Sequence, residues 1–133
     1  MKRFLLLLLL STAISCKKKS DLQPESISGQ WVGKGYECPT GTAIPEEIVE
    51  IVEDQGKITA TKKTGDQCVP AGKVTFTGTY DEAKKIYNLK WTTGTPNSPA
   101  SSTSTAGTLT VIDNNHLETT FSSNPSVTFT RKK

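Results

Sequence analysis

From residue 27 onward, hydrophobic and polar positions alternate with a period near two, and little of the chain has helical spacing. Threonine and β-branched residues fill the runs, while Gly, Asn, Asp and Pro separate them, a composition of strands joined by turns. Eight strands are predicted: Gln30–Glu37, Glu47–Glu53, Lys57–Lys63, Lys73–Tyr80, Lys85–Thr92, Gly107–Ile112, His116–Ser122 and Ser126–Lys132. In the clearest, Val74, Phe76, Gly78 and Tyr80 fall on one face and Thr75, Thr77 and Thr79 on the other. Leu117, Thr119 and Phe121 share a face, as do Val127, Phe129 and Arg131. The second run is less decided. Its acids at 46, 47, 50 and 53 also suit one face of an amphipathic helix, and Glu50 could point inward from a strand.

The connections alternate in length. Asp54-Gln55-Gly56, Asp81-Glu82-Ala83-Lys84 and Asp113-Asn114-Asn115 are tight and rich in hairpin residues. Cys38–Glu46, Thr64–Gly72 and Thr93–Ala106 are longer, and Ser123–Pro125 with its flanks is modestly longer. In an up-and-down meander alternate loops share an end, so tight turns gather at one end and longer loops at the other. A meander of this many strands removes its edges by closing on itself. The expected fold is therefore all-β, an eight-stranded antiparallel barrel, closed or nearly so, with a sandwich or a partly open barrel as the alternative. At eight strands the interior is just wide enough to be filled by side chains or to hold one small ligand.

Ahead of this domain stand Met1-Lys2-Arg3, the apolar run Phe4–Leu10, the small-residue stretch Ser11-Thr12-Ala13-Ile14-Ser15, and Cys16. A charged start, a short apolar run and a small-residue site read as a secretory signal, too short to span a bilayer. Ala13-Ile14-Ser15-Cys16 resembles the lipobox of bacterial lipoproteins, with Ala13 where Leu is usual. The resemblance implies that residues 1–15 are removed, that Cys16 is lipidated, and that the protein sits in the cell envelope, on the outer membrane. Lys17-Lys18-Lys19-Ser20-Asp21 after the cysteine is similar to lipoproteins of the Bacteroidota. Residues 16–26, polar and interrupted by Pro24, read as a tether, and residues 27–133 as one domain.

Charge changes the picture little. The formal net charge is +3, but residues 27–133 carry eleven basic and eleven acidic side chains, so the excess belongs to signal and tether. The domain gives no electrostatic reason to bind nucleic acid. In an exported protein Cys38 and Cys68 read as a disulfide, and both fall at the long-loop end. A metal site with His116 is the rival, but neither cysteine sits in a CxxC pair, and no metal or cofactor is expected.

Gly29-Gln30-Trp31 opens the first strand and Arg131 lies near the end of the last. This resembles the lipocalins and related calycin barrels, whose Gly-x-Trp lies beneath a basic residue of the final strand. The resemblance implies barrel closure through Gly29, Trp31 and Arg131. The Thr-Asp-x-Tyr-type motif of lipocalins is absent. Phe76-Thr77-Gly78-Thr79-Tyr80 is similar to avidin-type barrels, without the tryptophans of an avidin pocket.

Catalytic chemistry has little to stand on. His116 follows an Asn-Asn turn and reads as an exposed turn residue. No Gly-x-Ser-x-Gly elbow, phosphate loop, zinc signature or calcium loop appears. Glu37 and Glu50 are the acids to watch, but neither belongs to a carboxylate pair, and no enzyme is expected. A non-enzymatic barrel holding a small apolar ligand is the leading expectation, with Phe76, Tyr80, Leu89, Trp91, Leu109 and Phe121 as its candidate binding residues. Further candidate liners are Ile58, Ala60, Val74, Val111 and Leu117, and in so small a barrel core filling is the favoured reading of all these residues. The alternative is a filled barrel that meets a protein partner at its long-loop end. Tyr36-Glu37-Cys38 and Trp91-Thr92-Thr93-Gly94 are similar to segments of bacterial lysozyme-inhibitor lipoproteins.

Overall fold

The computed structural model describes residues 26–37, 43–44, 46–65, 69–93, 103–122 and 126–133. They form ten strands: β1 (Gly29–Lys34), β2 (Tyr36–Glu37), β3 (Ala43–Ile44), β4 (Glu47–Asp54), β5 (Lys57–Lys62), β6 (Val74–Asp81), β7 (Ile86–Thr93), β8 (Thr103–Asp113), β9 (His116–Phe121) and β10 (Thr128–Arg131). Eight of them close into an antiparallel barrel in the order β1-β10-β9-β8-β7-β6-β5-β4. The chain runs up and down around this barrel, and β1 closes it by pairing with both β4 and β10.

Alternation sets the inner wall. Glu47, Val49 and Ile51 of β4 are buried while Val52 is 58% exposed, so residues 47–54 form a strand and not a helix. Ile58, Ala60 and Lys62 of β5 turn inward, as do Tyr87, Leu89 and Trp91 of β7 and Leu117 and Thr119 of β9.

Several local features depart from plain alternation, among them a register shift between β8 and β9 at Val111/Asp113. The predicted first strand breaks at Gly35, whose φ of +90° bends the chain. Beyond the bend, β2, the end of that predicted strand, pairs with β3, which falls in the predicted loop Cys38–Glu46, in a small separate sheet. β8 starts at Thr103, earlier than the predicted Gly107, and pairs with β7 as far as Thr93. A further departure is a bulge. The β5–β6 register runs Ala60↔Phe76 and then Thr61↔Val74, so Thr75 is the extra residue. Thr75 turns inward and its hydroxyl donates to Ala60 O at 3.3 Å, while Val74 is 42% exposed. Val74, expected to line the interior, therefore does not.

The tight turns form as their residues dictate. Gln55 and Gly56 have φ of 49° and 73° and form a two-residue hairpin loop between β4 and β5. Asp81 accepts the N–H groups of Ala83 and Lys84, and Asp113 accepts that of Asn115. These backbone donors hold both carboxyl groups below the usual range, that of Asp113 with help from His116.

The tight-turn end is closed by a network around the chain entry. The Arg131 guanidinium lies 4.3 Å from the Trp31 ring centroid. It donates from Nε to Asn114 O (2.6 Å), from Nη1 to Ser28 O (3.0 Å) and from Nη2 to Ser26 O (3.3 Å). Gly29 has a φ of +137°, and a Cβ there would sit 3.0 Å from Arg131 Nη1. Trp31 Nε1 donates to Ile27 O (2.8 Å), and the Ile27 N–H donates to Glu53 Oε2 (3.1 Å). Gly29, Trp31 and Arg131 thus meet where the sequence placed the barrel closure.

Candidate functional site

The barrel interior divides into two ends and a middle. At the tight-turn end, Tyr87 of β7 donates its hydroxyl to Glu53 Oε1 of β4 (2.5 Å), and Tyr80 packs on Tyr87 with ring centroids 5.0 Å apart. Burial pushes the Tyr87 hydroxyl pKa up, and the hydrogen bond and charge of Glu53 push it further. In the middle, Ile51, Ile58, Leu89, Leu109 and Leu117 are buried among one another's strands.

Towards the long-loop end the interior becomes aromatic. Phe76 stacks on Trp91 with centroids 4.8 Å apart and an 18° interplanar angle. Trp91 meets Phe121 edge-on at 4.9 Å. Phe76 also approaches Phe129 at 6.0 Å. β6 and β10 stand opposite each other in the barrel order, so this last contact crosses the interior. The four rings form a layer from wall to wall.

Three inward-facing glycines make room for this packing. A Cβ on Gly33 would lie 2.6 Å from the Phe129 ring, and one on Gly107 would lie 2.5 Å from that of Phe121. A Cβ on Gly78 would lie 2.8 Å from both Ile58 and Leu89. The space that these glycines leave is therefore taken by neighbouring side chains.

Beside the aromatic layer, on the long-loop side, lies a buried ion pair. Lys62 Nζ of β5 stands 3.4 Å from Glu47 Oε2 of β4, with the two side chains 1% and 2% exposed. Lys62 is the last residue of its strand, one inward position beyond Ala60, whose register partner is Phe76. Glu47 is the register partner of Gly33, which Phe129 covers. The backbone of Lys62 is fixed too: its N–H donates to Lys73 O (2.9 Å) and its carbonyl accepts from Gly72 (2.8 Å). Two opposite charges thus sit inside the barrel, removed from solvent, where Coulomb forces are strong and desolvation is costly.

The six candidate binding residues separate accordingly. Phe76, Trp91 and Phe121 come together in the aromatic layer. Leu89 and Leu109 belong to the middle of the core, and Tyr80 lies with Tyr87 at the closed end. Ile58, Ala60 and Leu117 are buried wall residues, with Val111 packed partly against them. Glu50 does not point inward: it faces out and pairs with Lys63 Nζ at 2.9 Å. The Glu37 side chain lies outside what the structure describes, and so do Cys16, Cys38 and Cys68. His116 is exposed in its turn, with Nδ1 2.8 Å from both Asp113 oxygens. Among the described residues no group of three or more His, Cys, Asp or Glu side chains could hold a metal ion.

Glu47, Lys62 and Phe129 are the members of this site that sequence reasoning missed. Their phase was available: Glu47 keeps step with Val49 and Ile51, and Lys62 with Ile58 and Ala60. No protein-family model, no curated protein and no solved structure matches this chain.

Proposed function

We propose that this chain is a lipoprotein of the bacterial cell envelope whose barrel binds a small molecule at its long-loop end. Residues 1–15 are removed, Cys16 carries the lipid, residues 16–26 form the tether, and the protein is held on the outer membrane without a catalytic role. Cys38 and Cys68 form a disulfide at the long-loop end. The observation that carries the binding reading is the buried Lys62–Glu47 pair beside the Phe76–Trp91–Phe121–Phe129 layer. A structural filler needs no charge there, whereas a site that orients a ligand needs a few placed polar groups among apolar ones. The ligand rests against the aromatic layer and does not run down the barrel axis, because side chains occupy the centre.

The test is native mass spectrometry on protein released from its own membranes. The expected result is a lipid mass on Cys16 together with a stoichiometric small-molecule adduct on the folded chain. A lipidated chain with no adduct, recovered repeatedly from envelope material, would overturn the ligand reading and leave the anchor standing.

One observation favours a second reading, a barrel that is filled and acts through its rim on a protein. The Phe76–Phe129 contact across the interior is what a filled barrel requires. A lysozyme-inhibitor role is its concrete form, and unchanged lysozyme activity at saturating protein would remove it.

A further inference from the structure

We infer that Tyr80 and Tyr87 form an oxidative modification site, at which one-electron oxidants join the two rings into a dityrosine while Glu53 takes the proton from Tyr87. The two residues are register partners on adjacent strands, β6 and β7. Their ring centroids are 5.0 Å apart and the ring planes are tilted by 54°. Rings this close need only a small approach of their edges for a carbon–carbon bond to form. The pair is graded in access: Tyr87 is 4% exposed, whereas Tyr80 is only partly buried. An oxidant in solution therefore meets Tyr80 first, and Tyr87 can pass an electron to it across the contact.

A phenol that loses an electron becomes a strong acid, so a base within hydrogen-bond reach makes the loss easier. The Tyr87 hydroxyl donates to Glu53 Oε1 at 2.5 Å. The entry segment orients that carboxylate, since Glu53 Oε2 accepts from Ser26 Oγ and from the Ile27 N–H, both at 3.1 Å. Burial and Glu53 hold the proton on Tyr87 until an electron leaves, so the resting group is the phenol. Each tyrosine then gives one electron to one equivalent of oxidant. Tyr87 gives its hydroxyl proton to Glu53, and Tyr80 gives its own to water. The two radicals join through one ring carbon beside each hydroxyl, and the hydrogens on those two carbons return to the hydroxyl oxygens. The product has lost two electrons and two protons, and β6 and β7 are linked through their side chains.

The test is oxidation of the full folded chain at low concentration by photogenerated tris(bipyridine)ruthenium(III), a one-electron oxidant. The chain carries Tyr36→Phe, so that Tyr80 and Tyr87 are its remaining tyrosines. Trypsin cuts after Lys84 and Lys85, so the peptides Val74–Lys84 and Ile86–Lys90 separate unless the two rings are joined. The expected result is these two peptides joined with the loss of two hydrogens, from a chain of monomer mass with dityrosine fluorescence. The reaction should slow in heavy water, because a proton moves with the electron. Glu53→Gln keeps a hydrogen-bond acceptor but takes up no proton. It is expected to lower the rate at least ~10-fold and to weaken the heavy-water effect. Oxidation of tyrosine or tryptophan without the joined peptides would overturn the site. An unchanged rate in Glu53→Gln would overturn the part given to Glu53. The heavy-water effect is read on the Glu53 chain as well, so its absence there overturns the proton transfer even where Glu53→Gln fails to fold.

Discussion

Lys62 and Glu47, 1% and 2% exposed, place two opposite charges inside the barrel. Two charges moved out of water lose several kcal/mol of hydration each, and mutual attraction recovers that only in part. Replacing both by apolar groups of similar volume is therefore expected to leave stability unchanged or raise it. Replacing one alone removes the charge that the other faces at 3.4 Å. Lys62→Met is expected to lower the unfolding free energy by about 3–5 kcal/mol. The double change Glu47→Leu/Lys62→Met restores it to the original level or above. Urea unfolding of the single and double variants measures both. A double variant as unstable as the single would mean that the pair itself holds the barrel together, and a purely structural role would then suffice.

At the scale of elements, the Tyr87–Glu53 bond ties β7 to β4 near the closed end, two strands that are not neighbours in the sheet. The raised Tyr87 pKa gives this tie a pH dependence. The unfolded chain releases the phenol proton near the ordinary value of 10.0, while the folded chain keeps it to higher pH. The folded state therefore binds more protons above pH 10, and its stability falls as pH rises through that region. Below pH 10 the contribution is complete. Tyr87→Phe is expected to cost about 1–3 kcal/mol at neutral pH, the worth of a hydrogen bond to a charged group. It should also flatten the loss of stability above pH 10. Parallel alkaline profiles for the two proteins would show that another group governs that limb.

The same elements show what the sequence carries and what it does not. Strand phase is legible because one face is buried: Leu117 and Thr119, or Val127 and Phe129, announce the inner wall by alternation alone. The closure at Trp31 and Arg131 is legible because two distant positions share one chemistry. The bulge at Thr75 is not, since Val74–Tyr80 alternates without fault and only the register with β5 reveals the extra residue. The ion pair hides for a different reason. Glu47 and Lys62 are in phase with the core, but a charged residue in that phase reads as a strand end turning to solvent until a partner is seen opposite. Phe121 and Trp91 read as liners because sequence gives their face and not the ring that meets them. Gly33 and Gly107 are ambiguous for the same reason, as either ligand or neighbouring ring could take their space.

For the whole molecule, the barrel's integrity turns on one place, the entry of the chain at the tight-turn end. Ile27 is 2% exposed and joined to Trp31 and Glu53, while Arg131 reaches back to the carbonyls of Ser26 and Ser28. Ser28 also accepts the Glu53 N–H on its hydroxyl at 2.9 Å. These three residues precede the first strand yet belong to the closure. The boundary of the folding unit should then lie at Ser26 and not at Gly29, where β1 begins. A chain starting at Ser26 is expected to unfold at the same urea concentration as the full chain. A chain starting at Gly29 loses the burial of Ile27 and several hydrogen bonds, and should be less stable by about 3–6 kcal/mol. It should also free Arg131, so that adding Arg131→Ala to the shortened chain costs less than adding it to the longer one. Equal midpoints for the two truncations would place the boundary at the strand and leave Ser26–Ser28 outside the folding unit. A loss in the shorter chain that is additive with Arg131→Ala would show that the entry segment is held by burial alone.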